Sequence, residues 1–170
     1  YASTDKTAWR WDPESGERSI YPTRDRGVLD IRLEALESIL IVLDDSDDGP
    51  AADLVYPDEG SGVQIDSEWL LEFEPFREDP FEVATARLFG FGGHEDHRIA
   101  SFAGNVEYHT TFELSEADWT FLDLGRERHV SAVTLNGYEI GLKWWGRHLY
   151  RLPEGILRVG DNELEISYTT

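Results

Sequence analysis

The chain has 170 residues, enough for one well-buried core and a small second one, because domains usually contain about 100–150 residues. It carries 15 Lys and Arg against 35 Asp and Glu, a formal charge of -20, which excludes nucleic acid and anionic membranes as partners. It has no Cys, which excludes disulfides, thiolate metal sites and cysteine nucleophiles. We find neither a long apolar run nor a signal-peptide pattern, and because the first residue is not Met we expect a piece of a longer protein.

Residues 1–43 contain three short strand-like runs separated by turn residues. The runs cover residues 7–11, 27–33 and 38–43. The last run is continuously apolar from Ile39 to Leu43, which is typical of a strand buried on both faces. Trp9 and Trp11 share one face of the first run, and we interpret them as core or domain-interface residues. Because so few short strands cannot form a stable sheet alone, they need a partner surface.

Residues 44–66 are acidic, contain several Gly and Pro and lack apolar periodicity, so we interpret them as a linker. Four residues match the first, third, fifth and sixth positions of a calcium-binding loop: Asp44, Ser46, Asp48 and Gly49. The twelfth position should be a bidentate Glu but is Val55, so the spacing does not support a structural calcium ion. We expect a solvated linker there and no cofactor in the chain.

Residues 67–170 contain strand-like runs at intervals, with Gly and Asn-Gly turns between them. From Val106 to Leu114 apolar residues alternate with polar ones, which predicts a half-buried antiparallel strand. Asn136 and Gly137 predict a two-residue hairpin, because a type I′ turn needs positive φ at both positions. With no helical periodicity longer than about two turns, the sequence predicts an all-β fold, an antiparallel jelly-roll β-sandwich.

Two ordered sets of motifs resemble glycoside hydrolases. A-W-R-W-D-P-E-S-G-E at 8–17, followed by L-E-S-I-L-I-V-L at 36–43, resembles a passage that closes a β-sandwich in bacterial α-L-rhamnosidase-like enzymes. S-F-A-G-N-V-E-Y at 101–108, L-D-L-G at 122–125, V-T-L-N-G at 133–137 and G-D-N-E-L-E-I at 160–166 resemble the sugar-binding, galactose-binding-like jelly roll of glycoside hydrolase family 2.

The resemblance implies that residues 1–43 are the last strands of a preceding β-sandwich and that residues 67–170 are a galactose-binding-like jelly roll. The chain would then be a non-catalytic C-terminal accessory module of a secreted or periplasmic glycoside hydrolase. The catalytic carboxylates of such enzymes belong to a separate barrel domain, so the resemblance assigns no catalytic residue to this chain. Two hypotheses stay open: weak carbohydrate binding, and a structural sandwich that supports the parent's catalytic domain.

Sugars are bound by aromatic faces flanked by hydrogen-bonding groups, and residues 143–150 are aromatic and basic in an otherwise acidic chain. The candidate carbohydrate-binding residues are Trp144, Trp145, Arg147, His148 and Tyr138. If this segment is a strand, the two tryptophans face opposite sides and one of them lies in the core. The ligands we expect are oligosaccharides such as those of plant polysaccharides, and the alternative for the segment is interdomain packing.

Two further features contain the residue types of an active site but not the spacing that its chemistry needs. His94, Glu95, Asp96 and His97 do not match H-E-x-x-H and follow two glycines, so we interpret them as a solvent-exposed or ligand-rim loop rather than a metal site. Glycoside hydrolysis needs two carboxyl groups at a defined separation, but in so acidic a chain surface pairs meet that distance by accident. Intrinsic hydrolase activity is therefore the least favoured hypothesis.

Overall fold

The structure is a computed structural model that describes residues 5–24, 27–33, 37–54, 62–125 and 129–170. The chain forms two compact units, Tyr1–Tyr56 and Pro57–Thr170. Leu36 of the rhamnosidase-like passage, Val55 of the calcium-loop pattern and residues 55–61 of the predicted linker lie outside the described residues. In the part of the chain that the structure describes, no helix is long and apolar enough to cross a membrane.

The first unit contains a three-stranded antiparallel sheet of order β2-β1-β5 and a small hairpin of β3 and β4. The strands are β1 Thr7–Trp11, β2 Arg18–Ile20, β3 Thr23–Arg24, β4 Val28–Leu29 and β5 Leu40–Asp44. Trp9 is buried, and its indole N–H donates a hydrogen bond to the Ser46 carbonyl at 3.0 Å. Leu40 and Leu43 of β5 are about half exposed, so the prediction of burial on both faces is wrong for them, because β5 is an edge strand of this sheet.

Residues 44–52, part of the predicted linker, lie within the first unit. The Ile20 N–H donates to the Pro50 carbonyl at 2.7 Å, and the Ala52 N–H donates to the Ile20 carbonyl at 2.7 Å. Gly49 packs under the Trp9 ring so closely that a Cβ atom there would overlap it. The buried indole and the backbone hydrogen bonds therefore order a segment whose composition alone predicts a linker.

The second unit is built on a six-stranded antiparallel sheet of order β11-β10-β13-β8-β6-β7. Its strands are β6 Trp69–Pro75, β7 Phe81–Thr85, β8 Gly104–Leu114, β10 Val130–Leu135, β11 Tyr138–Lys143 and β13 Gly160–Thr169. A second sheet pairs β9 Phe121–Asp123 with β12 Leu149–Arg151, and one short helix, α1, spans His97–Ala100. The predicted all-β fold is confirmed.

The core of the second unit lies on one face of the large sheet. Alternate residues of β8 point inward, as predicted, and Val106, Phe112 and Leu114 are buried. Tyr150 and Leu152 from the region of the small sheet join the same apolar cluster, so the two sheets form a sandwich. Asn136 and Gly137 have φ values of 52° and 80°, which confirms the predicted turn between β10 and β11.

Candidate functional site

The two adjacent tryptophans lie in the loop that follows β11, because β11 ends at Lys143. Trp144 is 52% exposed and Trp145 is half-buried. Their ring centroids are 6.3 Å apart and the rings are tilted by 42°. Outside a regular strand the two rings do not point to opposite sides; they contact each other, and Trp144 presents the larger surface to solvent.

Arg147 fixes the loop to the small sheet. Its guanidinium forms a two-pronged pair with Asp123, with Nε to Oδ1 at 3.1 Å and Nη2 to Oδ2 at 2.5 Å. Burial favours the neutral form of the Asp123 carboxyl, but the hydrogen bonds from Arg147 and from the Gly125 N–H outweigh it, so the pKa of Asp123 is lowered. A planar guanidinium suits such a carboxylate contact, and here it holds the segment that carries the tryptophans against β9.

His148 is a core residue, which corrects the prediction that it contacts a sugar: its side chain has no exposed surface. Its Nδ1 lies 2.5 Å from the Ser131 hydroxyl, which lies 2.7 Å from the Tyr150 hydroxyl, and that hydroxyl also donates to the Ser131 carbonyl at 2.8 Å. We call Ser131, His148 and Tyr150 the Ser131 network. A serine and a histidine at this distance suggest a nucleophile and its base, but both are fully buried, so no substrate reaches them and their role is structural.

Tyr138 is 63% exposed but lies at the opposite end of β11 from Trp144. It pairs with Leu135 at the hairpin, whereas Lys143, directly before Trp144, pairs with Ser131. Six residues at about 3.3 Å each separate Tyr138 from Trp144 by about 20 Å, more than one sugar ring can bridge. The structure therefore brings Trp144 and Trp145 into contact on the loop that Arg147 fixes, and it leaves Tyr138 and His148 out of that group.

A cleft at the other end of the small sheet was not predicted. It has a volume of about 530 Å³ and lies between residues 117–120 and 151–157. Its lining includes half-buried Trp119 and exposed Arg151 together with buried Leu152, Ile156 and Leu157. Its two walls are distant in sequence and meet only because β9 pairs with β12. The one local signal was Trp119, which stands three residues before the L-D-L-G motif at 122–125.

The His-Glu-Asp-His segment serves the start of α1. Asp96 caps this helix by accepting the Arg98 N–H at 2.9 Å, and it pairs with the Arg98 guanidinium at 2.6 Å. The hydrogen bond from the Arg98 side chain is the largest of the contacts that lower the pKa of Asp96 to about 2. His94 Nδ1 accepts the Asp96 N–H at 3.0 Å, while His97 Nδ1 lies 3.3 Å from the Ser101 hydroxyl. These side-chain atoms of His94, Asp96 and His97 thus form contacts within the segment and do not converge on one point.

Comparison with solved structures identifies the fold. A rhamnosidase from Novosphingobium sp. PP1Y matches 98% of this chain with a TM-score of 0.76 and 24% identity, and the match covers 16% of that protein. A β-glucuronidase from Ruminococcus gnavus matches 68% of this chain with a TM-score of 0.52 and 21% identity, over 23% of its own length. A β-glucuronidase from Faecalibacterium prausnitzii matches 68% of this chain with a TM-score of 0.50 and 17% identity, over 22% of its own length. No protein-family model and no curated protein matches the chain.

The chain spans less than a quarter of the length of each of these enzymes. At these identities the similarity establishes the fold, and it confirms at that level the resemblance predicted from the motifs. The chain therefore has the β-sandwich fold of a rhamnosidase segment, and it shares this architecture with β-glucuronidases.

Proposed function

We propose that the chain is a non-catalytic accessory segment of a glycoside hydrolase and that it binds carbohydrate weakly through Trp144 and Trp145. The observation that carries this proposal is the exposed Trp144 ring, in contact with a second ring on a loop that the Arg147–Asp123 pair holds in place. The similarity to a rhamnosidase segment supports the choice of parent enzyme. The full burial of the Ser131 network supports the non-catalytic assignment.

The contact area sets the affinity. A ring that covers about 60–80 Å² of apolar sugar surface contributes about 1.5–2 kcal/mol. Two rings with supporting hydrogen bonds reach about 4 kcal/mol, which corresponds to a dissociation constant of about 1 mM. The bidentate Arg147–Asp123 pair lowers the ordering cost on binding, because the loop is already held.

Charge narrows the class of sugar. The chain has a formal charge of -20, and of the two cations in residues 143–148, Arg147 pairs with Asp123 and Lys143 lies over the Tyr150 ring. A uronic acid would meet repulsion at long range. We therefore favour neutral sugars, with rhamnose, galactose and neutral plant-polysaccharide oligosaccharides as the first ligands to test.

The test is a titration of the chain with these sugars, followed by tryptophan fluorescence and backbone amide shifts. We expect shifts at residues 144–148 with millimolar midpoints, and their loss in Trp144→Ala and Trp145→Ala. Tyr138→Ala is the matched control, because it removes another exposed aromatic ring about 20 Å away and leaves the midpoint unchanged. No shift at tens of millimolar rejects the proposal. Binding that survives both tryptophan variants places the site elsewhere, and Trp119→Ala then tests the cleft.

A specific observation also favours the alternative, a supporting contact with the parent's catalytic domain. Leu142 is 55% exposed and shares its sheet face with nearby Val130, which is 36% exposed. Apolar side chains grouped in this way are typical of surfaces that pack against another domain. Leu142→Ala separates the two functions in the intact parent: a support surface loses thermal stability, whereas a sugar site keeps both its stability and its millimolar binding.

A further inference from the structure

Three metal-ligating side chains meet on the outer face of the six-stranded sheet, away from the sandwich core. They are Glu72 of β6 and Glu107 and His109 of β8. Glu72 lies directly opposite Glu107 in the antiparallel pair, and His109 follows two residues later on the same face. One ligand atom from each residue lies within 4.8 Å of the other two.

The position of these carboxylates is electrostatically costly. Directly opposed like charges destabilise an antiparallel pair, and Glu72 also faces Glu82 of β7 on its other side. Glu165 of β13 lies opposite His109, so three carboxylates flank the imidazole, and Glu82 lies one strand farther out. Within the described residues, no lysine or arginine forms an ion pair with Glu72 or Glu107. The imidazole offsets at most one of these four charges.

The His109 ring nitrogen provides the second observation. Its Nε2 atom is buried and makes no hydrogen bond in the described structure. It lies 3.5 Å from a Glu107 oxygen and 3.6 Å from a Glu72 oxygen. These distances exceed the usual hydrogen-bond range of about 2.7–3.2 Å. They are close to the separation of about 3.4 Å between ligand atoms that surround a tetrahedral zinc ion at about 2.1 Å.

We propose that Glu72, Glu107 and His109 bind Zn²⁺, with the fourth position open to water or to Glu165. The donor set favours zinc over calcium and magnesium, because an imidazole nitrogen suits zinc, whereas calcium and magnesium take oxygen ligands. The ion ties β6 to β8 and neutralises the opposed glutamates. Its role is structural cross-linking at the centre of the sheet, and it does not depend on sugar binding.

The experiment is a zinc titration of the chelator-treated full chain by calorimetry, with the His109 imidazole signals followed by NMR. We expect one zinc ion per chain, a direct shift of the His109 Nε2 signal and a higher melting temperature. His109→Gln and Glu107→Gln should each weaken binding at least about tenfold. Two matched controls should bind as the parent chain does: Glu113→Gln, on the same face of β8, and His97→Gln, in the other histidine-containing segment.

The alternative is a protonated His109 that pairs with the two glutamates without an ion. In that case zinc leaves the imidazole signals unchanged, and this result overturns the proposal. Binding that persists in His109→Gln, or that disappears in His97→Gln, also overturns it. Should His109→Gln fail to fold, Glu107→Gln carries the test, since Glu107 is 52% exposed and its replacement keeps the side-chain shape.

Discussion

Asn162→Ala should destabilise the second unit more than any other polar-to-alanine change that we consider. Asn162 is fully buried at the start of β13. Its side-chain oxygen accepts from Asn136 Nδ2 at 2.9 Å and from the Arg158 N–H at 2.9 Å. Its side-chain amide donates to the Arg158 carbonyl at 2.8 Å and to the Gly160 carbonyl at 3.0 Å. The four bonds use its full hydrogen-bonding capacity.

The magnitude follows from these four bonds. Each intramolecular hydrogen bond contributes about 0.5–1.5 kcal/mol net, so their loss costs about 4 kcal/mol. A water molecule that enters the polar space restores part of this, which leaves about 3 kcal/mol. With a urea m-value of about 1.5 kcal/mol/M for a unit of this size, the unfolding midpoint should fall by about 2 M. Asn136 keeps its bond to the Ile156 carbonyl at 2.7 Å, so the hairpin should survive.

The assay is urea unfolding followed by the backbone amide signals of β13, which report on the second unit alone. Asn105→Ala is the control, because Asn105 is only half-buried and its side chain accepts one hydrogen bond, from Thr169 Oγ1 at 2.9 Å. It should cost about 1 kcal/mol or less. Asn162→Asp should be at least as harmful as alanine at neutral pH, since a carboxylate oxygen would face two carbonyls. A loss below about 1 kcal/mol for Asn162→Ala, or equal losses in Asn162→Ala and Asn105→Ala, would refute the reasoning.

Gly104→Ala should cost about 1–3 kcal/mol in urea unfolding, because the new Cβ would overlap the Glu74 carbonyl oxygen on the neighbouring strand; a neutral result contradicts this. Because the folded-state pKa of Asp123 is lowered, the Arg147 pair stabilises the fold above the unfolded pKa of about 3.9, and this contribution disappears as the pH falls through the folded value. Asp123→Asn should therefore lower the melting temperature at neutral pH. It should also make the further fall of the melting temperature in acid smaller than in the parent chain, as measured by thermal unfolding at a series of pH values. Ser131→Ala should cost about 1–3 kcal/mol by the same measurement at pH 7, because the Ser131 network loses its central hydroxyl; no loss would mean that water replaces it.

The long strands could be predicted because alternation alone defines them. In β8 the buried and exposed positions follow the sequence pattern from Val106 to Leu114. The short strands β7 and β12 were missed, since each exists mainly through its partner. Arg151 belongs to a strand only because it pairs with Phe121, thirty residues earlier in the chain. Local sequence does not encode such a pairing.

The candidate site could be predicted only in part for a similar reason. The sequence indicated an aromatic loop, and Trp144 is exposed there. Arg147 and His148 are neighbours with similar chemistry, yet one reaches Asp123 and the other is buried beside Ser131, seventeen residues away. Which residue faces solvent depends on those distant partners and not on the local composition.

The acidic composition produces a local concentration of charge only where the strand register places carboxylates side by side. Most of the 35 carboxylates cost little, because water and salt screen them at the surface. Two charges about 5 Å apart on a sheet surface repel by about 3 kcal/mol at an effective dielectric constant of 20. The register of β8, β6 and β7 places Glu107, Glu72 and Glu82 side by side in one row. The sequence shows Glu107 and His109 two residues apart, but only the pairing with β6 adds Glu72 and turns dispersed acidity into a group that favours a cation.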